Sequence, residues 1–378
     1  MILFIGYDAS LTGASKSLLL IIEYFTKRSK IPIYIILGKG GPLIEDYNRL
    51  GKVEIWEHDW YFEKNILKRI NNRLFNTNKK RQKNIIKKLQ KSTPKIIFNN
   101  TIGNGDILKN LSILNVKIIS RVPEMETVIN LYNTNFKNSS DKVFKYSDQF
   151  ISPSNSAKDV LLNNYDINEN KVQVCYGTIN EKLPTREDLS LLKKQLNIND
   201  HAFIVGACGT LGWRKGSDLF LRVANKLKNE KDIFFLWVGA DTHSSNYHQF
   251  VYEAKKYEIL KNLIIIPKTK EVHKYFQLMN VFLMTSREDP FPLVNLEAAI
   301  NKVPIICFEN SGGSSEFVDE TSGFVVPFCE TQKMADIVIE LKKTPKKLLE
   351  LSNGIFEKSK KFNNKNALEK IFDIVMAN

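Results

Sequence analysis

Ser286-Arg-Glu-Asp-Pro-Phe-Pro-Leu-Val-Asn-Leu-Glu-Ala-Ala299 follows an apolar run at 281–284 that reads as a buried parallel strand, and it leads into 293–300, whose composition is helical. The stretch is therefore a strand-end loop that feeds a helix. Such a junction carries free backbone N–H groups and the positive end of a helix dipole, where phosphates and sugar hydroxyls are readily held. Pro290 and Pro292 stiffen the approach, and proline is tolerated at a helix start because its missing N–H has no partner there. Asp289 lies in the loop and Glu297 about a turn inside the helix, so two carboxylates face one crevice. From the residues alone two readings stay open: a ligand site, or Asp289 as a helix cap with Glu297 on a solvated face.

Outward from this stretch, apolar runs recur at 202–205, 233–238, 263–266, 304–308 and 323–326, with helical segments between them. A first series runs through 2–5, 31–37, 53–56, 95–98, 116–119 and 149–151. Strand and helix in alternation argue for mostly parallel, doubly wound sheets. Two such series predict two Rossmann-like domains facing across a cleft, 1–180 and 181–359, with a polar linker at 181–188 and a last helix at about 360–378 returning to the first domain.

Loops at strand ends carry the candidate chemistry. Gly206-Ala-Cys-Gly-Thr-Leu-Gly-Trp-Arg-Lys-Gly216 opens a helix from Ser217, where glycines let backbone approach a ligand and Arg214 and Lys215 set positive charge over a diphosphate; a surface loop with a chance basic pair is the plainer alternative. Pro267-Lys-Thr-Lys-Glu271 and Ser311-Gly-Gly-Ser-Ser-Glu316 close further strands. In the first half, Asp8-Ala-Ser-Leu-Thr-Gly-Ala-Ser-Lys-Ser17 is a hydroxyl-rich turn into a helix at 18–26, and its glycine-to-lysine spacing fails the P-loop pattern. Asn99-Asn-Thr-Ile-Gly-Asn-Gly105 and Arg121-Val-Pro-Glu-Met-Glu126 should open on the crevice at the carboxyl ends of their strands. Arg121 and Glu124 either contact a substrate or hold their loop together by pairing.

The formal net charge is +14, from 55 basic and 41 acidic side chains. Much of it gathers between Lys64 and Lys95, where Ile66, Ile70 and Leu74, then Ile85, Ile86 and Leu89, recur at helical spacing. A basic amphipathic helix of this kind suits an anionic membrane surface, at about 1 kcal/mol per basic side chain; a solvated helical face is the alternative. Nucleic acid is disfavoured, because neither interleaved aromatics nor a known motif accompanies the charge. Cys175, Cys208, Cys307 and Cys329 are too scattered for a zinc site or a disulfide framework, which suits a reducing compartment. The apolar N-terminus is too short for a signal sequence, and no run reaches the roughly 18 residues of a membrane span. No D-x-D occurs.

The stretch 286–299 resembles the E-x7-E signature of the retaining family 4 glycosyltransferases of GT-B fold, with Asp289 in the place of the first glutamate and Glu297 as the second. The resemblance implies that Asp289 contacts the donor sugar and Glu297 the nucleotide ribose. The family's G-R-L-x-x-x-K-G loop is matched by Lys215 and Gly216; Thr210 replaces its arginine, and Arg214 would substitute in neutralising the departing nucleotide. Gly13, Gly209, Thr210, Gly313 and the run Phe291, Pro292, Leu293 and Val294 are expected beside the donor, with Lys268 and Thr269 at the base. The usual histidine of the 121–126 loop is missing, leaving Arg121 and Glu124 as acceptor-side candidates.

What the resemblance implies is a cytoplasmic enzyme, peripheral at the inner face of the membrane and without cofactor or metal. It would move a sugar from a nucleoside-diphosphate donor, a UDP-sugar ahead of a GDP-sugar, to a glycan or lipid-linked hydroxyl; composition rich in Lys, Asn and Ile suits an AT-rich bacterial genome and hence surface polysaccharide synthesis. Retention would follow from a same-face displacement assisted by the leaving phosphate. The competing expectations are a silent nucleotide- or glycan-binding subunit, and a nucleotide-sugar epimerase or sugar-phosphate synthase.

Overall fold

The computed structural model describes residues 1–58, 76–177, 188–362 and 364–377. Among them the apolar runs form two parallel sheets. The first takes β1 (Ile2–Gly6), β2 (Ile33–Leu37), β3 (Lys52–Ile55), β4 (Ile96–Asn100), β5 (Lys117–Arg121), β6 (Gln149–Ser152) and β7 (Val172–Val174) in the order β3-β2-β1-β4-β5-β6-β7. The second takes β8 (Phe203–Cys208), β9 (Ile233–Ala240), β10 (Leu263–Pro267), β11 (Val281–Met284), β12 (Ile305–Phe308) and β13 (Gly323–Val326) in the order β10-β9-β8-β11-β12-β13. Each order reverses once, between β1 and β4 and between β8 and β11. Such a switch point leaves a crevice at the carboxyl ends of the strands, because neighbouring helices depart to opposite faces.

Strands β1 and β11, at the centre of their sheets, carry no polar side chain because helices cover both faces of a parallel sheet. Every residue of β1 and of β11 is buried. Phe4 lies 5.3 Å from Phe25 and 5.5 Å from Phe98, ring centre to ring centre, and all three are fully enclosed. Burying each such ring contributes about 1.5–3 kcal/mol.

The chain divides into two compact units, one of Met1–Pro153, Ala157–Cys175 and Leu368–Asn378, the other of Ser154–Ser156 and Tyr176–Ala367. The linker expected at 181–188 falls, except for Asp188, on residues 178–187, outside the described residues. In the first unit Phe372 packs 4.8 Å from Phe25, Arg28 pairs with Glu369 at 2.9 Å, and Ile371, Ile374 and Val375 are buried in the same cluster as Phe25. The apolar face of the last helix thus completes a core begun by β1.

Three sequence expectations are corrected. The helix expected at 18–26 begins earlier, at Gly13, and runs to Arg28, because Lys16 already closes a backbone bond to the Thr12 carbonyl. Strand β4 continues through Asn99 and Asn100, expected as a turn. Both asparagines are buried with their amides satisfied, Asn99 by Ser120 and Asn100 by the Ala14 carbonyl. The basic segment is described only from residue 76, where the helix Thr77–Ser92 turns Gln82, Ile85 and Leu89 into the first unit. Its apolar stripe is taken up by the protein's own core. Lys79, Lys80, Arg81, Lys83, Lys87, Lys88 and Lys91 are left exposed, with Arg81 on Glu57 and Lys88 on Glu54.

Candidate active site

In the second unit three strand-end loops are tied together at the switch point. After β8, Gly209 accepts a hydrogen bond at its carbonyl from the buried Trp237 indole at 3.0 Å, and a tight turn at Trp213–Lys215 leads through Gly216 into the helix Ser217–Lys226. Gly216 has φ +63, and a Cβ there would come within 1.8 Å of the Thr285 carbonyl oxygen, so only glycine lets the β8 and β11 loops lie this close. Thr285 donates its hydroxyl to the Lys215 carbonyl at 3.2 Å, and Arg287 donates its N–H to the Arg214 carbonyl at 2.9 Å. Arg287 also grips Asp218 through two bonds of 2.7 and 2.6 Å and stacks on the Trp213 ring at 5.2 Å.

The loops converge on Asp289, which is 5% exposed. Its carboxylate accepts the Lys215 ammonium, and the Arg214 guanidinium stands 3.6 Å away while donating to the Glu288 carbonyl at 3.0 Å. Asp289 N–H donates to the Ser311 carbonyl at 2.8 Å, and Gly313 N–H donates to the Asp289 carbonyl at 3.1 Å, which brings in the loop after β12. Lys215, Arg214 and Asp289 are therefore one cluster, with two cations on one carboxylate.

Asp289 does not cap the helix Leu293–Ile300, whose N-cap is Pro292 with no side-chain bond. Glu297 is half-buried in that helix, and its charge acts with Lys215 on the Cys208 thiol at the end of β8. Burial first, then Glu297, pushes that thiol up. Glu297 and Lys215 thus both lie within electrostatic reach of Cys208.

Other candidates divide. The Phe291 ring lies in the core, 5.8 Å from Phe362 and 6.4 Å from Phe317, Pro292 is buried beside it, and Leu293 and Val294 are half-buried. A Cβ on Gly313 would stand 2.5 Å from the Pro290 carbonyl, so loop packing alone demands glycine there. Thr210 is exposed. Lys268 faces Asp241 at 3.8 Å, and Thr269 accepts the Glu271 N–H at 3.1 Å; both follow β10, at the far side of β9 from β8. Gly13 is exposed at the start of its helix, with nothing within 4 Å of a Cβ.

In the first unit, Gly6, Asn100 and Arg121 lie side by side at the ends of β1, β4 and β5. Arg121 is 7% exposed and donates to the Asn100 side chain at 3.1 Å. Glu124 accepts the Thr101 hydroxyl, and burial pushes its carboxyl up to about 7 despite that bond and the Arg121 charge. Thr101 holds φ +129, an unusual value for a β-branched residue. Sequence reasoning singled out Arg121 and Glu124 and named Asn100 and Thr101 only as part of the 99–105 loop; two asparagines and a threonine closing an apolar strand are the local signal there.

Residues 190–360 match the family described as glycosyl transferases, group 1. The chain is 30% identical over 128 residues to the alpha-galactosylglucosyldiacylglycerol synthase of Streptococcus pneumoniae, covering 32% of each. It is 27% identical over 136 residues to the O-antigen biosynthesis glycosyltransferase WclY of Escherichia coli, covering 36% of this chain and 37% of the relative. These alignments span about a third of the relatives' length. Among solved structures, Anabaena Alr3699/HepE in complex with UDP-glucose superposes with a TM-score of 0.81 at 16% identity over 100% of this chain and 99% of that one. WaaG, a glycosyltransferase involved in lipopolysaccharide biosynthesis, superposes with a TM-score of 0.77 at 12% identity over the whole of both chains. Over residues 190–360 the chain is similar to the group 1 glycosyltransferases, and along its length it has the GT-B fold.

Proposed function

We propose that the chain transfers a glycosyl unit from a nucleoside-diphosphate sugar, a UDP-sugar by preference, to a hydroxyl of a glycan or lipid-linked acceptor, with retention, in bacterial surface polysaccharide synthesis. The observation that carries this reading is the placement of Lys215 and Arg214 together at the β8/β11 switch point, beside the open N-terminus of the helix Leu293–Ile300. A diphosphate leaving group develops negative charge as the bond to the sugar breaks. Fixed cations and backbone N–H groups stabilise that charge without reorganising. On this reading Asp289 steers the two cations, Glu297 takes the ribose hydroxyls, and no resident metal takes part. The relatives' printed roles in glycolipid and O-antigen synthesis support a glycan or lipid acceptor, which we assign to the first unit.

Glu297→Gln is expected to weaken UDP binding by roughly tenfold or more, the loss when a charged hydrogen-bond acceptor becomes neutral. Titration calorimetry with UDP measures it, and unchanged affinity would contradict the role. The function itself is tested by a hydrolysis and transfer screen with UDP-, GDP- and ADP-sugars. Nucleotide binding without any turnover would assign the chain to the silent subunits; turnover without transfer would point to an epimerase.

The exposed lysines of Thr77–Ser92 support peripheral attachment to anionic lipid by charge alone, since the helix's apolar stripe faces inward. Co-sedimentation with phosphatidylglycerol vesicles should fall steeply as salt rises past about 0.15 M, where the Debye length is about 8 Å. Lys79→Glu, Lys83→Glu and Lys87→Glu together should abolish it, and binding that ignores lipid charge would defeat the assignment.

A further inference from the structure

A cavity of about 550 Å³ opens in the first unit where β5, β6 and β7 begin. Arg121 and the crevice it faces lie at the other end of these strands, and roughly 13 Å of strand separates Lys117, which starts β5, from Arg121, which ends it. The donor loops of the second unit contribute none of the lining. Its volume falls in the range of small-ligand sites, about 300–1,000 Å³.

Bonded backbone builds the rim. Asn115 closes the turn Ser112–Leu114 in a left-handed conformation, φ +49, with its N–H on the Ser112 carbonyl at 3.1 Å. Asp148 enters β6 with its N–H on the Ile118 carbonyl at 2.9 Å, and its carboxylate accepts the Ile118 N–H at 2.8 Å. Asn168 fixes the turn Glu169–Lys171, its side chain accepting the Asn170 N–H at 2.9 Å and its carbonyl the Lys171 N–H at 3.0 Å. Side chains carried on bonded turns are in place before a ligand arrives, which lowers the entropy lost on binding.

The lining is polar. Asn115, Gln149 and Asn170 bring amides that each donate and accept, Ser112 brings a hydroxyl, and Asp148 a carboxylate. Tyr146 adds one half-buried ring at the end of the helix Ser139–Tyr146, with the Lys145 ammonium 5.6 Å from its centre. An apolar cofactor finds too little hydrocarbon here, with Val116 and Ile118 the only aliphatic lining. A compact anion such as phosphate would meet the Asp148 carboxylate in the same cavity as Lys117 and Lys171, and a metal ion would meet a single carboxylate. What fits is a ligand of vicinal hydroxyls, each a donor and an acceptor, carried on rings with apolar C–H faces.

We propose that this cavity binds a neutral oligosaccharide, a second sugar site apart from the crevice at the carboxyl ends of the strands. The binding goes beyond the transferase reading and does not require it. Its use rests on that reading: an acceptor glycan held here as well as at its reacting end is bound at two points, so the second contact becomes intramolecular and a long acceptor is retained over a short one.

The probes are cellotetraose, maltotetraose and N-acetylchitotetraose, titrated into the full chain labelled with 13C-methyl isoleucine and valine. The Val116 and Ile118 methyl signals should shift saturably with at least one of them, at a Kd of about 1 mM or tighter, and excess UDP should leave the shift in place. Asn170→Trp, which fills the space from the exposed rim, should abolish the shift, and Gln149→Ala should weaken binding about tenfold, with UDP affinity unchanged in both. If Gln149→Ala does not fold, Asn170→Trp on its surface turn decides. No shift at Val116 and Ile118 with any probe up to about 20 mM, or a shift that UDP removes, overturns the proposal and leaves the transferase reading intact. A shift produced by tetragalacturonate and by no neutral probe overturns it as well. Where the parent transfers sugar, Asn170→Trp should raise KM about tenfold for a tetrasaccharide acceptor and leave that of a methyl glycoside unchanged; an unchanged tetrasaccharide KM overturns the acceptor role. A parent that turns over no donor defeats the transferase reading, and the methyl shifts still decide the sugar site.

Discussion

Lys215→Ala should lower kcat for transfer by about 100- to 1,000-fold, the loss seen when one fixed group that stabilises transition-state charge is removed. UDP binding should weaken about tenfold as well, through the lost charge-assisted contact. The substitution also strips a cation from Asp289, a buried carboxylate, and a buried charge left alone is strongly destabilising. Arg214, 3.6 Å away, softens that penalty, so a stability loss of about 1–3 kcal/mol is expected. A double variant separates the two effects. Lys215→Met with Asp289→Asn removes both charges, which should return most of the stability in a urea melt and none of the activity. If the double variant recovered transfer, Lys215 would be a structural residue only. Lys215→Arg should not rescue, because a planar guanidinium cannot occupy a point-charge site on the same stem.

Gly216→Ala should destabilise the second unit by about 4 kcal/mol, near the upper end for a single substitution. The left-handed φ of +63 costs an alanine about 1–2 kcal/mol on its own. The larger cost comes from the Cβ, which would lie 1.8 Å from the Thr285 carbonyl oxygen. Neither loop can give way easily, since Thr285 and Arg287 bond the carbonyls of Lys215 and Arg214 from the other side. Relief would open the β8 and β11 loops and carry Lys215 away from Asp289, so UDP affinity should fall together with the urea midpoint. Gly209→Ala is the control. Its φ is +148, but the nearest atom to a Cβ is the Lys215 side chain at 3.5 Å, so only backbone strain of about 1–3 kcal/mol is expected. Equal losses for the two variants would show that the clash is not what matters.

Both effects arise in a loop whose composition was legible before its packing. Gly-Trp-Arg-Lys-Gly at a strand end sets two cations and two glycines at a helix start, because residue type and local turn chemistry are properties of neighbours in the chain. That Lys215 closes on Asp289 rather than standing free is a contact across 74 residues, and it depends on β8 and β11 being adjacent in the sheet. The first unit teaches the same lesson from its core. Asn99 and Asn100 look like a turn, yet they are strand, because amide partners on β5 and on the helix from Gly13 satisfy them.

Local sequence by itself determined the alternation of strand and helix, the two series and the positions of the glycine and cation loops, since periodicity and turn propensity act over a few residues. Only the tertiary structure decided that Ile85 and Leu89 face inward and leave the basic helix with charge alone, and that Thr101 is strained. It alone showed that Arg121 and Glu124 each carry an unmatched buried atom. Burial and hydrogen-bond satisfaction are sums over the whole fold, and a single segment does not contain them.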